Sequence, residues 1–317
     1  MSGAPPTNDV EPMSGSGSAR AAWFNASLAT FLWAANVLPV KLTLREIPGL
    51  TTALARVTLA GLLLMAVHLW RGKSFSLRRD ELKDFLLLGF FGIAVSFSMF
   101  TTAMQYTSVA HAVFIGALLP LFVLILACAT GQERFTGTKN VGFIVAMAGV
   151  VLLAMDKAAI AGTSGAVASN WRGDLMALCG VSCFTFFTVR GKKLATRYDS
   201  GTVNMYAFGL GAAFCFPLLL WISATRTPQA LDPHWNQVSW VAWISLFLSG
   251  TLGSALPYFV YYKALRSLKA TQVATLHYIQ PVVATLLGVV FLHERLGPQF
   301  TIAAALILLG VFLAERR

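Results

Sequence analysis

The sequence predicts an all-α polytopic membrane protein, with ten transmembrane helices arranged as two inverted five-helix repeats. Three observations carry that expectation. The chain is 56% hydrophobic and only 12% charged, where soluble domains carry about 25% charge. Apolar runs of roughly 20 residues recur along it, each long enough to cross about 30 Å of hydrocarbon as a helix. From residue 85 onward the chain also repeats itself, without a gap, after a shift of 161 positions. A span in hydrocarbon must satisfy its own backbone hydrogen bonds, which leaves helices or closed barrels. These runs are about twice the length of a barrel strand and do not alternate with period two, so they read as helices.

The repeat is carried by particular residues. Gly89 and Gly92 return as Gly250 and Gly253, Ala103 as Ala264, and Pro120 as Pro281. Glu133-Arg134 returns as Glu294-Arg295, and Gly149-Val150 as Gly310-Val311. Extended back to its start, the unit holds five apolar segments. Five is odd, so the second copy enters the bilayer from the opposite side. Two halves related in that way let one binding site face either compartment in turn. The arrangement points to transport.

Residues 1–20 are rich in Gly, Ser and Pro with no apolar run, and they read as a disordered cytoplasmic tail. They lack the basic region, h-region and cleavage site of a signal peptide, so the first span (21–40) is expected to serve as the anchor. Span two (50–70) is followed by a basic connection, 71–83. Spans three (84–104) and four (108–129) are joined by a few residues, and span five (138–155) closes the first repeat, 21–155. The stretch 156–173 is Ala/Gly/Ser-rich and reads as a flexible linker. The second repeat, 174–315, holds spans at 174–191, 202–222, 239–262, 270–292 and 298–315. Its one long connection is 223–238.

Lys and Arg in the loops set the orientation. Six lie on the side opposite the amino terminus: Lys41, Arg45, Lys157, Arg172, Arg226 and Arg295. Arg56 lies inside span two, and the other 17 of the 24 fall on the amino-terminal side. Both termini are therefore expected in the cytoplasm. This scatter through short loops also argues against nucleic acid as the partner of a chain with net charge +11. The four cysteines (Cys128, Cys179, Cys183, Cys215) all fall in apolar spans and read as packing residues.

Several local patterns resemble a known family. They are Trp33-Ala34-Ala35-Asn36 in span one, Ala55-Arg56-Val57 in span two and Gly149-Val150-Val151-Leu152 closing span five. Gly173-Asp174-Leu175 opens span six, and Pro120 and Pro281 sit midway along spans four and nine. Together they resemble the ten-helix exporters of the drug/metabolite transporter superfamily (EamA type). Within it, the chain is most similar to bacterial amino-acid exporters, including the aromatic ones. The second repeat departs from the first in having no arginine to match Arg56. The resemblance implies a basket of spans one to four and six to nine around a central cavity, with spans five and ten outside it. It also implies a bacterial-type inner (plasma) membrane, no cofactor, and a monomer or homodimer.

The residues suggest where chemistry sits. All 13 carboxylates lie in the tail, in loops or at span ends. A proton-driven pump of cationic drugs usually needs an embedded carboxylate. Its absence favours a neutral or zwitterionic solute and leaves no evident proton carrier, so facilitated export is expected. Arg56 is an embedded cation that must face a cavity or reach the interface. It reads either as a structural cation or as the partner of a substrate carboxylate. His277, beside Tyr278, and Asn36 need polar partners in hydrocarbon. Phe97, Phe100, Tyr258 and Tyr261 form repeat-related aromatic pairs on spans three and eight, and Trp33 lies at mid-span. All nine are the expected substrate-binding residues. Pro120 and Pro281 interrupt the helical ladder at matching depths and are the expected hinges. Trp221, Trp235, Trp240 and Trp243 read as an interfacial belt.

Other functions fit less well. A nucleotide-sugar or phosphorylated-metabolite exchanger would need several cavity cations. An intramembrane hydrolase would need a nucleophile with its base, or a metal set such as HExxH. No such pattern occurs, the five histidines are scattered, and no catalytic or metal-ligating residue is expected. An exporter of amino acids or similar small metabolites remains the leading expectation, and a multidrug or other metabolite exporter of the same superfamily the alternative.

Overall fold

Ten apolar segments form ten helical rods among the described residues. The computed structural model describes residues 16–73, 75, 77–130, 137–155, 169–225, 235–293 and 296–315. The rods are α1 (Ser16–Leu44), α2 (Gly49–Trp70), α3 (Arg79–Tyr106), α4 (Val109–Gly116 continuing as Leu119–Ala129) and α5 (Gly137–Ala154). The second half supplies α6 (Trp171–Ala195), α7 (Ser200–Thr225), α8 (Trp240–Ser267), α9 (Ala270–Thr275, Leu276–Tyr278 and Ile279–Leu292) and α10 (Pro298–Glu315). Six of them are long and apolar enough to span a bilayer by length and composition alone. Helix α1 begins five residues before the expected span, because Ser-Gly-Ser-Ala-Arg continues the helix. Residues 1–15 of the expected tail, 156–168 of the expected linker, Glu133-Arg134 and Glu294-Arg295 lie outside the described residues.

Short connections with side-chain caps set the entry of several rods. The Ser108 hydroxyl accepts from the His111 amide at 3.1 Å, the Asn170 side chain from the amides of Arg172 and Gly173, and the Ser239 hydroxyl from the Ala242 amide. Each satisfies amides that a helix leaves unpaired at its start. Glu46, in the loop between α1 and α2, accepts from both the hydroxyl and the amide of Ser239 at 2.6 Å. Those two bonds hold its carboxyl below the usual range.

The packing is symmetric under exchange of the two halves. Helix α1 lies against α8 and α9, and its counterpart α6 lies against α3 and α4. Helix α2 packs on α7, and α5 on α10. The glycines show why the repeat keeps them. A Cβ on Gly92 of α3 would meet the Phe187 Cβ of α6 at 2.8 Å, and one on its equivalent Gly253 of α8 would meet Asn36 Oδ1 of α1 at 2.0 Å. Gly89 and Gly250 are likewise pressed against α7 and α2.

Two irregularities recur at matching places. Helix α3 widens into a π-helical stretch at Leu88–Val95 and α8 at Thr251–Ala255, each around or beside its glycine pair. Helix α4 breaks at residues 117–118, and α9 tightens into a 3₁₀ turn at Leu276–Tyr278. Each break lies just before the repeated proline. Pro120 and Pro281 have no N–H to donate to the carbonyls of Gly116 and His277, four residues earlier. Helices α5 and α10 stand as a pair joined by small residues: a Cβ on Gly310 would lie 2.3 Å from the Ala146 nitrogen, and one on Gly149 2.8 Å from the Ala303 oxygen. Backbone approach of this kind is how membrane helices associate without a hydrophobic driving force.

Candidate functional site

Seven of the other eight helices, all but α7, line a cavity of about 810 Å³, counting the open space at its mouth. Its walls come from both repeats: Trp33, Asn36 and Val40 of α1, Arg56 of α2, Phe97 to Met104 of α3, Gly180 and Phe184 of α6, Gly253 and Tyr258 of α8, and His277 and Gln280 of α9.

Arg56 is the dominant charge. It is 7% exposed, yet no ion pair among the described residues involves it. One terminal nitrogen donates to the Thr101 hydroxyl and the other to the Ser254 hydroxyl, both at 3.2 Å. Ser254 in turn donates to the Ser249 carbonyl at 2.8 Å, which orients its oxygen toward the guanidinium. The guanidinium carbon lies 5.1 Å from the Phe97 ring centre, a cation–π contact. Nε is buried without a partner. Neutral hydroxyls and a ring face orient this charge without neutralising it. A buried charge in that condition attracts an anionic group.

The apolar floor is built from rings. Trp33 lies 5.0 Å from Tyr258, 5.8 Å from Phe184 and 5.3 Å from His277, centre to centre. Phe97 reaches Tyr258 at 5.5 Å. Asn36 projects its Oδ1 onto the bare backbone of Gly253, and this oxygen is buried with no hydrogen-bond partner. His277 sits on the 3₁₀ turn of α9, stacked on Trp33, with Nε2 buried and unpartnered. The cavity thus offers one cation, unpaired acceptors and stacking faces.

Of the nine binding residues expected from sequence, seven line the cavity: Trp33, Asn36, Arg56, Phe97, Phe100, Tyr258 and His277. Tyr261 lies behind the floor, fully buried, 5.1 Å from Trp33 and bonded to the Thr188 hydroxyl at 3.0 Å. The Tyr278 and Trp221 side chains lie outside the described residues. Trp235 and Trp243 stack at 5.6 Å, and they and Trp240 are exposed, as the interfacial belt requires. Sequence reasoning missed Ser96, Thr101, Phe184, Ser254 and Gln280. Hydroxyls in membrane helices usually return to a carbonyl of their own turn, so nothing marked these two as partners of Arg56.

The cavity lies toward the end of the bundle opposite the basic loops, since its residues occupy the later turns of α1 and α3. Below it, Phe187, Tyr261, Tyr262 and Leu265 close the basic end in a fully buried layer. Charges tie the helices beneath that layer. Asp84 pairs with Arg190 at 3.1 Å and Lys193 at 2.7 Å, and Arg197 pairs with Glu81. Lys192 donates to the Leu268 carbonyl at 2.8 Å. Asp84 and Glu81 are therefore buried, paired carboxylates at a span end.

Comparison with known proteins agrees with this architecture. The sequence profile of the EamA-like transporter family matches residues 21–155 and 171–315. An uncharacterized transporter of Archaeoglobus fulgidus is 26% identical over 92% of this chain and 96% of its own. The uncharacterized inner membrane transporter YedA of Escherichia coli is 26% identical over 92% of this chain and 89% of its own. One crystal structure superposes with a TM-score of 0.63 over 95% of this chain and 97% of that one, at 20% identity, a likeness of fold.

Proposed function

Since this chain belongs to the EamA-like transporter family, we propose that it exports small zwitterionic or neutral metabolites, foremost neutral and aromatic amino acids, by alternating access. The carrying observation is Arg56, a cation on the cavity wall with neutral partners only. A substrate carboxylate would complete its pairing. Its ammonium would turn to the unpaired Asn36 Oδ1, and an apolar or aromatic side chain would stack among Trp33, Phe184 and Tyr258. Tyr261 supports Trp33 from behind, and Phe100 and His277 complete the walls, with Tyr278 beside His277 in sequence.

Alternation rests on the two broken helices. Freed from one ladder bond each, α4 at Pro120 and α9 at Pro281 are the bending points on which the halves, 21–155 and 174–315, rock about the shared cavity. The 17-to-6 distribution of loop cations supports both termini in the cytoplasm of a bacterial-type cell. The sealed basic end then faces inward, and the protein acts as a monomer or homodimer.

Purified protein in liposomes loaded with labelled phenylalanine, leucine or phenethylamine tests the substrate class. Saturable efflux of the two amino acids, and none of the amine that lacks a carboxylate, is expected. Equal efflux of the amine, or no protein-dependent efflux of any of a broader amino-acid panel, contradicts it.

A further inference from the structure

A second buried polar cluster stands one turn beyond the lining residue Met104. Thr107, at the end of α3, donates its hydroxyl to Asp174 of α6 at 2.6 Å. The Nδ1 of His111, in the first turn of α4, lies 3.3 Å from both Asp174 oxygens. His111 is 1% exposed and Asp174 5%. The other ring nitrogen, Nε2 of His111, is buried with no partner. Lys41 of α1 donates to the carbonyls of Met104 at 2.6 Å and Thr107 at 2.7 Å. Four helices therefore converge on one histidine–carboxylate pair. By sequence Asp174 is only a span-end residue, and its burial makes it an enclosed carboxylate.

The position relates the pair to opening. Val113 and Gly116, which follow His111 on α4, line the cavity, as do Gly180 and Val181 on α6. Any outward swing of the first segment of α4, hinged at residues 117–118, separates His111 from Asp174. The elements packed against the pair carry few other titratable groups. The segments of α9 and α5 against α4, residues 279–292 and 140–154, contain none. Helix α6 contributes Asp174 and the outward Arg172, α3 contributes the exposed Tyr106, and α1 contributes Lys41.

We propose that His111 and Asp174 form a proton-binding latch, in which a proton taken up at His111 Nε2 holds the cavity mouth closed and links transport to protons. The chemistry balances simply. With Asp174 ionised, Nδ1–H donates to it and Nε2 carries a free lone pair. A proton from water at the mouth adds to that lone pair, and the enclosed neutral ring beside an anion becomes an ion pair of zero net charge. In the open form both groups are hydrated and the pair is worth little. The closed form is thus favoured while the proton is bound and loses that advantage when the proton leaves.

Hydrogen exchange of residues 107–116 in lipid nanodiscs, corrected for intrinsic rates, reads this directly without substrate. Wild-type protection is expected to be greater at pH 5.5 than at 7.5, by roughly threefold to at most about a hundredfold, the limit for one linked proton over two pH units. His111→Gln keeps a donor for Asp174 but cannot take up the proton, and its corrected protection is expected to be equal at both values. Asp174→Asn, a second variant, is expected to flatten the profile as well. Residues 142–152 on α5 serve as a pH-insensitive control. No pH dependence in the wild type, or an unchanged dependence in His111→Gln, overturns the proposal. Because no transported solute enters the measurement, either result leaves the assignment of Arg56 to be judged on its own experiment.

Discussion

Arg56 on α2 and Ser254 on α8 meet at 3.2 Å, though 198 positions separate them in sequence. The bond joins the first repeat to the second at the cavity wall, and Thr101 completes the seat from α3. Only neutral oxygens bond the guanidinium, so its pairing with a substrate carboxylate is open to measurement. A hydrogen bond to a charged group contributes about 1.5–3 kcal/mol. Arg56→Ala is therefore expected to weaken amino-acid affinity roughly ten- to a hundredfold, read by substrate-dependent thermal stabilisation. Arg56→Lys, a point charge without the fork, is expected to fall between.

Gly253 and Asn36 form a second relationship that a double mutant resolves. A Cβ at 253 would sit 2.0 Å from Asn36 Oδ1, and the amide must swing away to admit it. Gly253→Ala is expected to reduce transport by about as much as Asn36→Ala, with the double variant no worse than Asn36→Ala alone. Additive losses, measured as efflux rates, would show that the two act separately.

Pro281 and the His277 carbonyl make a prediction about rate. Pro281→Ala restores an amide that can bond that carbonyl and straighten α9. One such bond contributes about 0.5–1.5 kcal/mol net. Substrate affinity is expected to hold while exchange slows by about two- to thirteenfold, as measured by counterflow. Pro120→Ala is expected to do the same on α4.

The α5–α10 pair gives the opposite pattern. Gly310→Val would drive a side chain into the backbone of Gly142 and Ala146. Overpacking costs typically 1–3 kcal/mol, so the melting temperature is expected to fall. Neither helix contributes to the cavity walls, so the KM of the surviving protein is expected to stay at the wild-type value.

Apolar run length placed the rods within a few residues in the sequence alone, because hydrocarbon thickness dictates span length whatever the tertiary contacts. The breaks of α4 and α9 were legible through Pro120 and Pro281, since a missing donor acts locally. The π-helical stretches were not. Gly89, Gly92, Gly250 and Gly253 marked the repeat, but whether a backbone widens there depends on α6, α7, α1 and α2 pressing against it. Arg56 was visible as a charge out of place, while Thr101 and Ser254 were ordinary hydroxyls until folding aimed them. Asp174 was placed at a span end, where it lies, but its burial was not legible for the same reason. It stands in the first turn of α6, and its enclosure comes from Thr107 and His111, more than 60 positions away.

The central claim is one cavity that opens alternately to two sides. An Asn36→Cys variant, in a chain whose four natural cysteines are replaced by alanine, tests it with a membrane-impermeant maleimide applied to intact cells and to inside-out vesicles. Labelling from both faces, slowed from each by saturating substrate, is the predicted result. Labelling confined to one face under every condition would contradict the account.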